Sequence, residues 1–325
     1  MLLIIALLQE QFMIVPCTVN AINYTIMKLI IYITLILSIS IIGCSSNKLQ
    51  EGKNNQQLTD NNGKPMLLGS QKEKSLKKAP FAEWYNKNFN EYKPDDSLSN
   101  QMKSLLQGKN MKIFLGTWCG DSKREVPRMM RLLNHYGMET AAIELIMVDN
   151  HDSVYKQSPA HEEKGLNIHR VPTFIVYEEG KELGRIVESP VESLEKDMLK
   201  IVNGEAYTPK YKGVIFMNNL FKIMPADSIL SRSAETIALI KPLLKNAAEL
   251  NTYGYVLMAA KEMNSAHCVF KLNSLIYPTN ANIFDSLAEF YEKNGNKELS
   301  IENYRIVLQL DPKNENAKKK LGVKE

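Results

Sequence analysis

The run MKIFLGTWCGDSKREVP, from Met111 to Pro127, restricts the architecture of this chain more than any other stretch. It opens as a short buried strand and continues, from Cys119 to Tyr136, with the spacing of a helix. A cysteine therefore falls where a strand hands over to a helix start. The free N–H groups and aligned dipoles of a helix N-terminus favour negative charge, so a thiol placed there is biased toward thiolate. Lys123 and Arg124 add positive charge in the first turn, and Asp121 opposes them. Pro127 brings no N–H to the helix and predicts a kink.

The flanking segments supply the rest of an α/β unit. FAEWYNKNFNEYK carries Phe81, Trp84, Tyr85, Phe89 and Tyr92 near helical spacing, and Ser97 is a candidate cap for a second helix through Leu106. IELIMVD predicts a strand. TFIVYEEGKELGRIVE predicts two strands joined by a turn at Glu179–Gly180, and VESLEKDMLKIVNG a closing helix that stops at Gly204. The order is α, α, β, α, β, β, β, α.

This pattern resembles the thioredoxin fold. Trp118, Cys119, Gly120, Lys123 and Pro127 match in register the family's W-C-G-P-C-K signature and its downstream proline. Val171, Pro172 and Thr173 match the cis-proline landmark, and Gly180 the glycine of the final hairpin. The chain is also similar to the thioredoxin-like lipoproteins of Bacteroidetes-type bacteria, where GTWC-x-DS-x-REVP and SPVE-x-LEKDM patterns recur. The resemblance implies an α/β thioredoxin-like fold over 79–206, a central mixed sheet flanked by helices. It implies a cis Pro172, a catalytic set of Cys119, Ser122 and Pro172, and substrate contacts from Trp118, Gly120, Asp121, Val171 and Thr173.

The departures from the family pattern narrow the chemistry. Ser122 stands where the second, resolving cysteine is expected, and a hydroxyl cannot expel a bound substrate by disulfide exchange. Ile113 stands where thioredoxins keep a buried Asp that serves that second cysteine, and Asp121 replaces the active-site proline. One thiolate can still attack a disulfide and hold a mixed disulfide, with release by a thiol from the client or a small molecule. The expected activity is thus isomerase- or capture-type exchange with disulfide-containing or thiol protein clients. The alternative is a redox-inactive thioredoxin-like binding module in which Cys119 is vestigial. A weaker third reading has the thiol retain unfolded clients. His161 and His169 are candidates for a base near Cys119, set against plain solvated loop residues.

The N-terminal part reads as targeting sequence. MKLIIYITLILSISIIGCSS, from Met27, has one basic residue, a short apolar core, and Gly43 before Cys44. Its apolar run is short of the roughly 20 residues of a membrane span. SIIGC resembles a bacterial lipobox, which implies a lipid on Cys44 and a membrane-anchored protein facing the periplasm. Translation is expected to begin at Met27, leaving 1–26, with Cys17, as a mis-assigned upstream segment. Residues 27–43 are then the signal peptide. Residues 44–78, rich in Asn, Gln, Lys and Ser, are expected to form a flexible tether. A net charge of +4, without a basic patch, speaks against nucleic-acid partners. The four cysteines form no CxxC and no Cys/His cluster, so no zinc site is expected. No cofactor is expected either.

From 207 to 325 the pattern is wholly helical. Val214 to Met224 and Ala234 to Asn246 are predicted helices. A period of 34 then places Leu250, Tyr253, Gly254, Leu257, Ala266, Phe270 and Pro278 over Phe284, Leu287, Ala288, Tyr291, Ser300, Tyr304 and Pro312. The period and its small and large positions resemble the tetratricopeptide repeat. That resemblance implies a groove for a protein segment; the competing reading is a docking module that only supports the first domain. Cys268 is expected to be a buried small hydrophobe, with a distant resolving role as the other possibility.

Overall fold

A computed structural model describes residues 58–323. Met27, Cys44 and Cys17, with the expected upstream segment, signal peptide and tether as far as residue 57, lie outside the described residues.

The stretch from 58 to 78, expected as tether, is instead part of the fold. It holds a small hairpin, β1 (Leu58–Thr59) and β2 (Pro65–Met66), then β3 (Gly69–Gln71) and a single-turn helix α1 (Glu73–Leu76). The physical reason lies in a few apolar side chains within a polar segment. Met66 and Leu76 are fully buried, Leu67 and Leu68 nearly so. Helix α2 (Ala82–Glu91) follows and buries Tyr85. The next cap is Asp95, not Ser97. The Asp95 carboxylate accepts the Ser97 N–H at 2.9 Å, opening a 3-10 turn that leads into α3 (Ser99–Leu105).

The five-stranded mixed sheet has β4 (Lys109–Leu115) at its centre. On one side lies β5 (Ile143–Met147), parallel to β4, and β3 completes that edge antiparallel to β5. On the other side β6 (Thr173–Glu178) and β7 (Lys181–Val187) are antiparallel, joined through Glu179 and Gly180 at φ +48° and +78°. Between β4 and β5 runs α4 (Gly120–His135), which continues across Pro127. Helix α5 (Leu194–Val202) closes the unit, and Gly204 follows at φ +71°.

Side-chain alternation along the strands makes two cores. Met111, Ile113 and Leu115 of β4 pack with Val126, Met129 and Leu133 of α4 and with Tyr85 and Met198. Phe114, Ile146, Val148 and Ile175 face the other side, where Ile168 and Val171 cover them and Trp118 and Cys119 border the cluster. The thiol therefore sits at the end of the central strand, beside the loop that leads into β6.

The remainder is helical: α6 (Lys212–Ile223), α7 (Ala226–Ser231), α8 (Ser233–Ile240), α9 (Ala248–Ala259), α10 (Met263–Ile276), α11 (Ala281–Lys293), α12 (Lys297–Leu310) and α13 (Glu315–Leu321). The helix expected to reach Asn246 ends at Ile240, where Pro242 joins a 3-10 turn. Helices α9–α10 and α11–α12 form successive hairpins. Gly254 is needed inside the first: a Cβ there would stand 2.7 Å from the Phe270 ring. Cys268 is fully buried, and burial pushes its thiol up to about 12.

Candidate thiol site

Cys119 is the N-cap residue of α4, and its carbonyl accepts the Lys123 N–H at 3.0 Å. The side chain is partly exposed. Its Sγ donates to the Val171 carbonyl at 3.3 Å. The Val171–Pro172 peptide bond is cis. The strand–helix junction and the loop before β6, about fifty residues apart in sequence, are thus joined through the sulfur.

The turn that presents the thiol is tightly specified. Trp118 lies partly buried, with Nε1 donating to the Val148 carbonyl at 2.9 Å. Its indole covers Gly116, where a Cβ would meet Trp118 Cε2 at 2.4 Å. Thr117 is buried and its hydroxyl accepts the Leu67 N–H at 3.1 Å, so the segment expected as tether touches the residue two before the cysteine. Gly120 is exposed, and space for a side chain is open there. Asp121 is half-exposed and pairs with Arg124 at 2.7 Å. Arg124 also holds the buried Glu125 at 2.6 Å, and Arg128 lies 3.6 Å from the same carboxylate oxygen.

Four of the expected site residues, Ser122, Val171, Pro172 and Thr173, are buried. Ser122 is fully buried, and its Oγ accepts the Gly116 N–H at 3.2 Å. It closes the turn beneath the thiol. Val171 turns its side chain into the second core and offers Sγ only its carbonyl. Thr173 is buried with its hydroxyl donating to the Arg170 carbonyl at 2.7 Å. Pro172 is buried and its carbonyl accepts the Glu188 N–H at 2.7 Å. Ile113 is an apolar core residue, so no carboxylate occupies that place.

The histidines part company. His161 is exposed and pairs with Glu163 at 3.2 Å. His169 is buried, with Nδ1 3.2 Å from the Asn167 carbonyl. Burial lowers its proton affinity to about 3, so it is neutral at physiological pH. Its ring packs edge-on to Tyr211 and Tyr253 of the helical part. Next to it, Arg170 donates to the Ala248 carbonyl at 3.1 Å and lies over the Tyr211 ring. The helical part therefore docks on the loop that carries the cis bond.

One buried cation of this loop region had no signal in the sequence. Lys156, in the aperiodic stretch between β5 and β6, is 3% exposed and donates to the His169 carbonyl at 2.8 Å.

No family model matches the chain. Over 91 residues, covering 28% of this chain and 74% of the relative, it is 35% identical to Thioredoxin Asp f 28 of Aspergillus fumigatus. The chain belongs to the thioredoxin family. The mixed sheet, with helices on it and a helical region after it, agrees with a thioredoxin-like domain followed by an all-α part. Within this thioredoxin-type frame, Trp118 and Cys119 are partly exposed, and Ser122 is sealed below them.

Proposed function

We propose that this chain is an extracytoplasmic thiol–disulfide exchange protein that works through Cys119 alone. The observation that carries the reading is the pairing of a partly exposed thiol, resting on the Val171 carbonyl at a helix start, with a buried Ser122. In the forward step the Cys119 thiolate attacks one sulfur of a client disulfide. A new S–S bond forms, the client bond breaks, and its other sulfur leaves as thiolate. No second sulfur sits in the motif, so the mixed disulfide persists until a client thiol or a small-molecule thiol attacks it. Trp118, Gly120 and Asp121 line the exposed rim over which such a client would lie.

Lipidation at Cys44 would tether the protein to a membrane on its periplasmic side. Among the described residues no helix is long and apolar enough to cross a membrane. The helical part is read as tetratricopeptide-type and would hold a protein segment in its groove. A binding role without turnover draws on a cavity of about 530 Å³ between the loop of Tyr155 and Gln157 and the Val256 face of α9.

The experiment is a trap of covalent partners. The wild-type protein should carry clients into high-mass species on non-reducing gels, and Cys119→Ala should lose them. Equal capture by both proteins would leave the binding role as the better account.

A further inference from the structure

We propose that Lys156 is a charge-positioning residue for the thiol site, its ammonium group serving as counter-ion to the Cys119 thiolate. This rests on the exchange reading above, and it adds a residue that no part of the sequence motif contains.

Cys119 Sγ rests on the Val171 carbonyl, and Lys156 Nζ rests on the His169 carbonyl two residues earlier in the same loop. The two side chains thus converge on one short segment from the helix start and from the loop after β5. A second route joins them. Lys156 Nζ stands 4.4 Å from the Tyr155 ring centroid, and that ring lies 6.4 Å from the indole of Trp118, the neighbour of Cys119.

The placement of Lys156 is fixed by its backbone. It adopts φ +59°, a left-handed conformation, and its N–H donates to the Asp149 carbonyl while Asp149 N–H donates to Gln157. Long lysine side chains normally carry their charge to water. This one is turned inward and buried.

Among the described residues no carboxylate forms an ion pair with it. The ion pairs around it, His151–Asp149, His161–Glu163 and Arg170–Glu188, leave it out. The groups that act on it are Arg170, which repels it, and Glu188 and Cys119, which attract it. His169 faces it as a neutral ring and a carbonyl. Lys261 and Glu262 of the α9–α10 turn and Lys164 share its cavity and carry opposing signs. A buried ammonium without a paired carboxylate is costly unless it has a task. Burial brings its proton affinity down to about 7.

In the proposed exchange Lys156 forms no bond. Thiolate and ammonium stabilise each other through space. When Cys119 attacks a disulfide its charge passes to the leaving sulfur, and Lys156 remains with the protons it held.

The test uses the full chain and neutral dipyridyl disulfide. The rate of pyridinethione release is read as the difference from Cys119→Ala, between pH 6 and 9. Removing one charge at an effective dielectric of about 20 should slow the attack by about tenfold in Lys156→Met at neutral pH. The wild-type profile should carry an inflection near Lys156's own titration that Lys156→Met lacks. Lys156→Arg should keep the rate without that inflection. Native Cys268 stays unreactive and reports on folding; a variant in which it reacts is replaced by Lys156→Gln and read by the same criteria. Equal rates and equal profiles in wild type and the charge-removal variant would overturn the assignment alone. No Cys119-dependent release in the wild type would overturn the exchange reading and this assignment with it.

Discussion

Gly116 has no β-carbon, and the indole of Trp118 occupies the place where one would stand. Gly116→Ala should push the indole off Val148 and destabilise the fold by about 1–3 kcal/mol, as overpacking does. Thermal unfolding with tryptophan fluorescence would check it, and an unchanged emission and midpoint would refute it. The two described cysteines give a second residue-scale contrast. Cys119 is partly exposed, whereas Cys268 is sealed in the helical core with its thiol pushed up to about 12. Iodoacetamide at neutral pH should label Cys119 in the native protein and reach Cys268 only after denaturant is added, as peptide mapping would show. Cys119, Trp118 and Pro172 were legible in the sequence because their neighbours form a local pattern. Lys156 was not, since VYKQSP has no periodicity and a lysine is ordinarily read as solvated. That the buried Ser122 accepts the Gly116 N–H was not legible, because that contact depends on the turn's closure.

At the scale of elements, many of the helices and strands β4 to β7 follow their hydrophobic periods. The edge strand β3 does not. Three residues are too few to show an alternation, and Asn- and Lys-rich sequence surrounds them. What orders this stretch is tertiary: pairing with β5, burial of Met66 and Leu76, and the Leu67 N–H on Thr117. Leu76→Ala should therefore cost about 2–4 kcal/mol, the usual penalty for emptying a buried leucine site. A truly flexible tether would leave the denaturant midpoint unmoved. The same logic explains the early end of α8. The apolar pattern runs on toward Asn246, but Pro242 follows Ile240 and limits the last turn.

Across the whole molecule, the joint between the α/β and helical parts depends on His169 and Arg170, which lie just before the cis bond. No motif in the chain announced that joint, because it pairs loop residues with aromatic rings far away in sequence. His169 makes it sensitive to acid. Burial lowers its proton affinity from 6.5 to about 3, so between these values the unfolded chain binds the proton that the folded chain refuses. Stability should fall as pH drops through that window. His169→Phe should remove part of the slope, as urea midpoints across the window would show; a slope unchanged by the substitution would exclude this origin. Turnover at one sulfur is tested most directly by the lifetime of the Cys119 mixed disulfide. A client peptide disulfide is loaded on the wild type and on Ser122→Cys, excess reagent is removed, and release is followed by mass spectrometry without added thiol. The wild type should keep a long-lived adduct, and Ser122→Cys should release the client promptly with an intramolecular disulfide left behind. Rapid release from the wild type without any thiol, or no adduct at all, would contradict it.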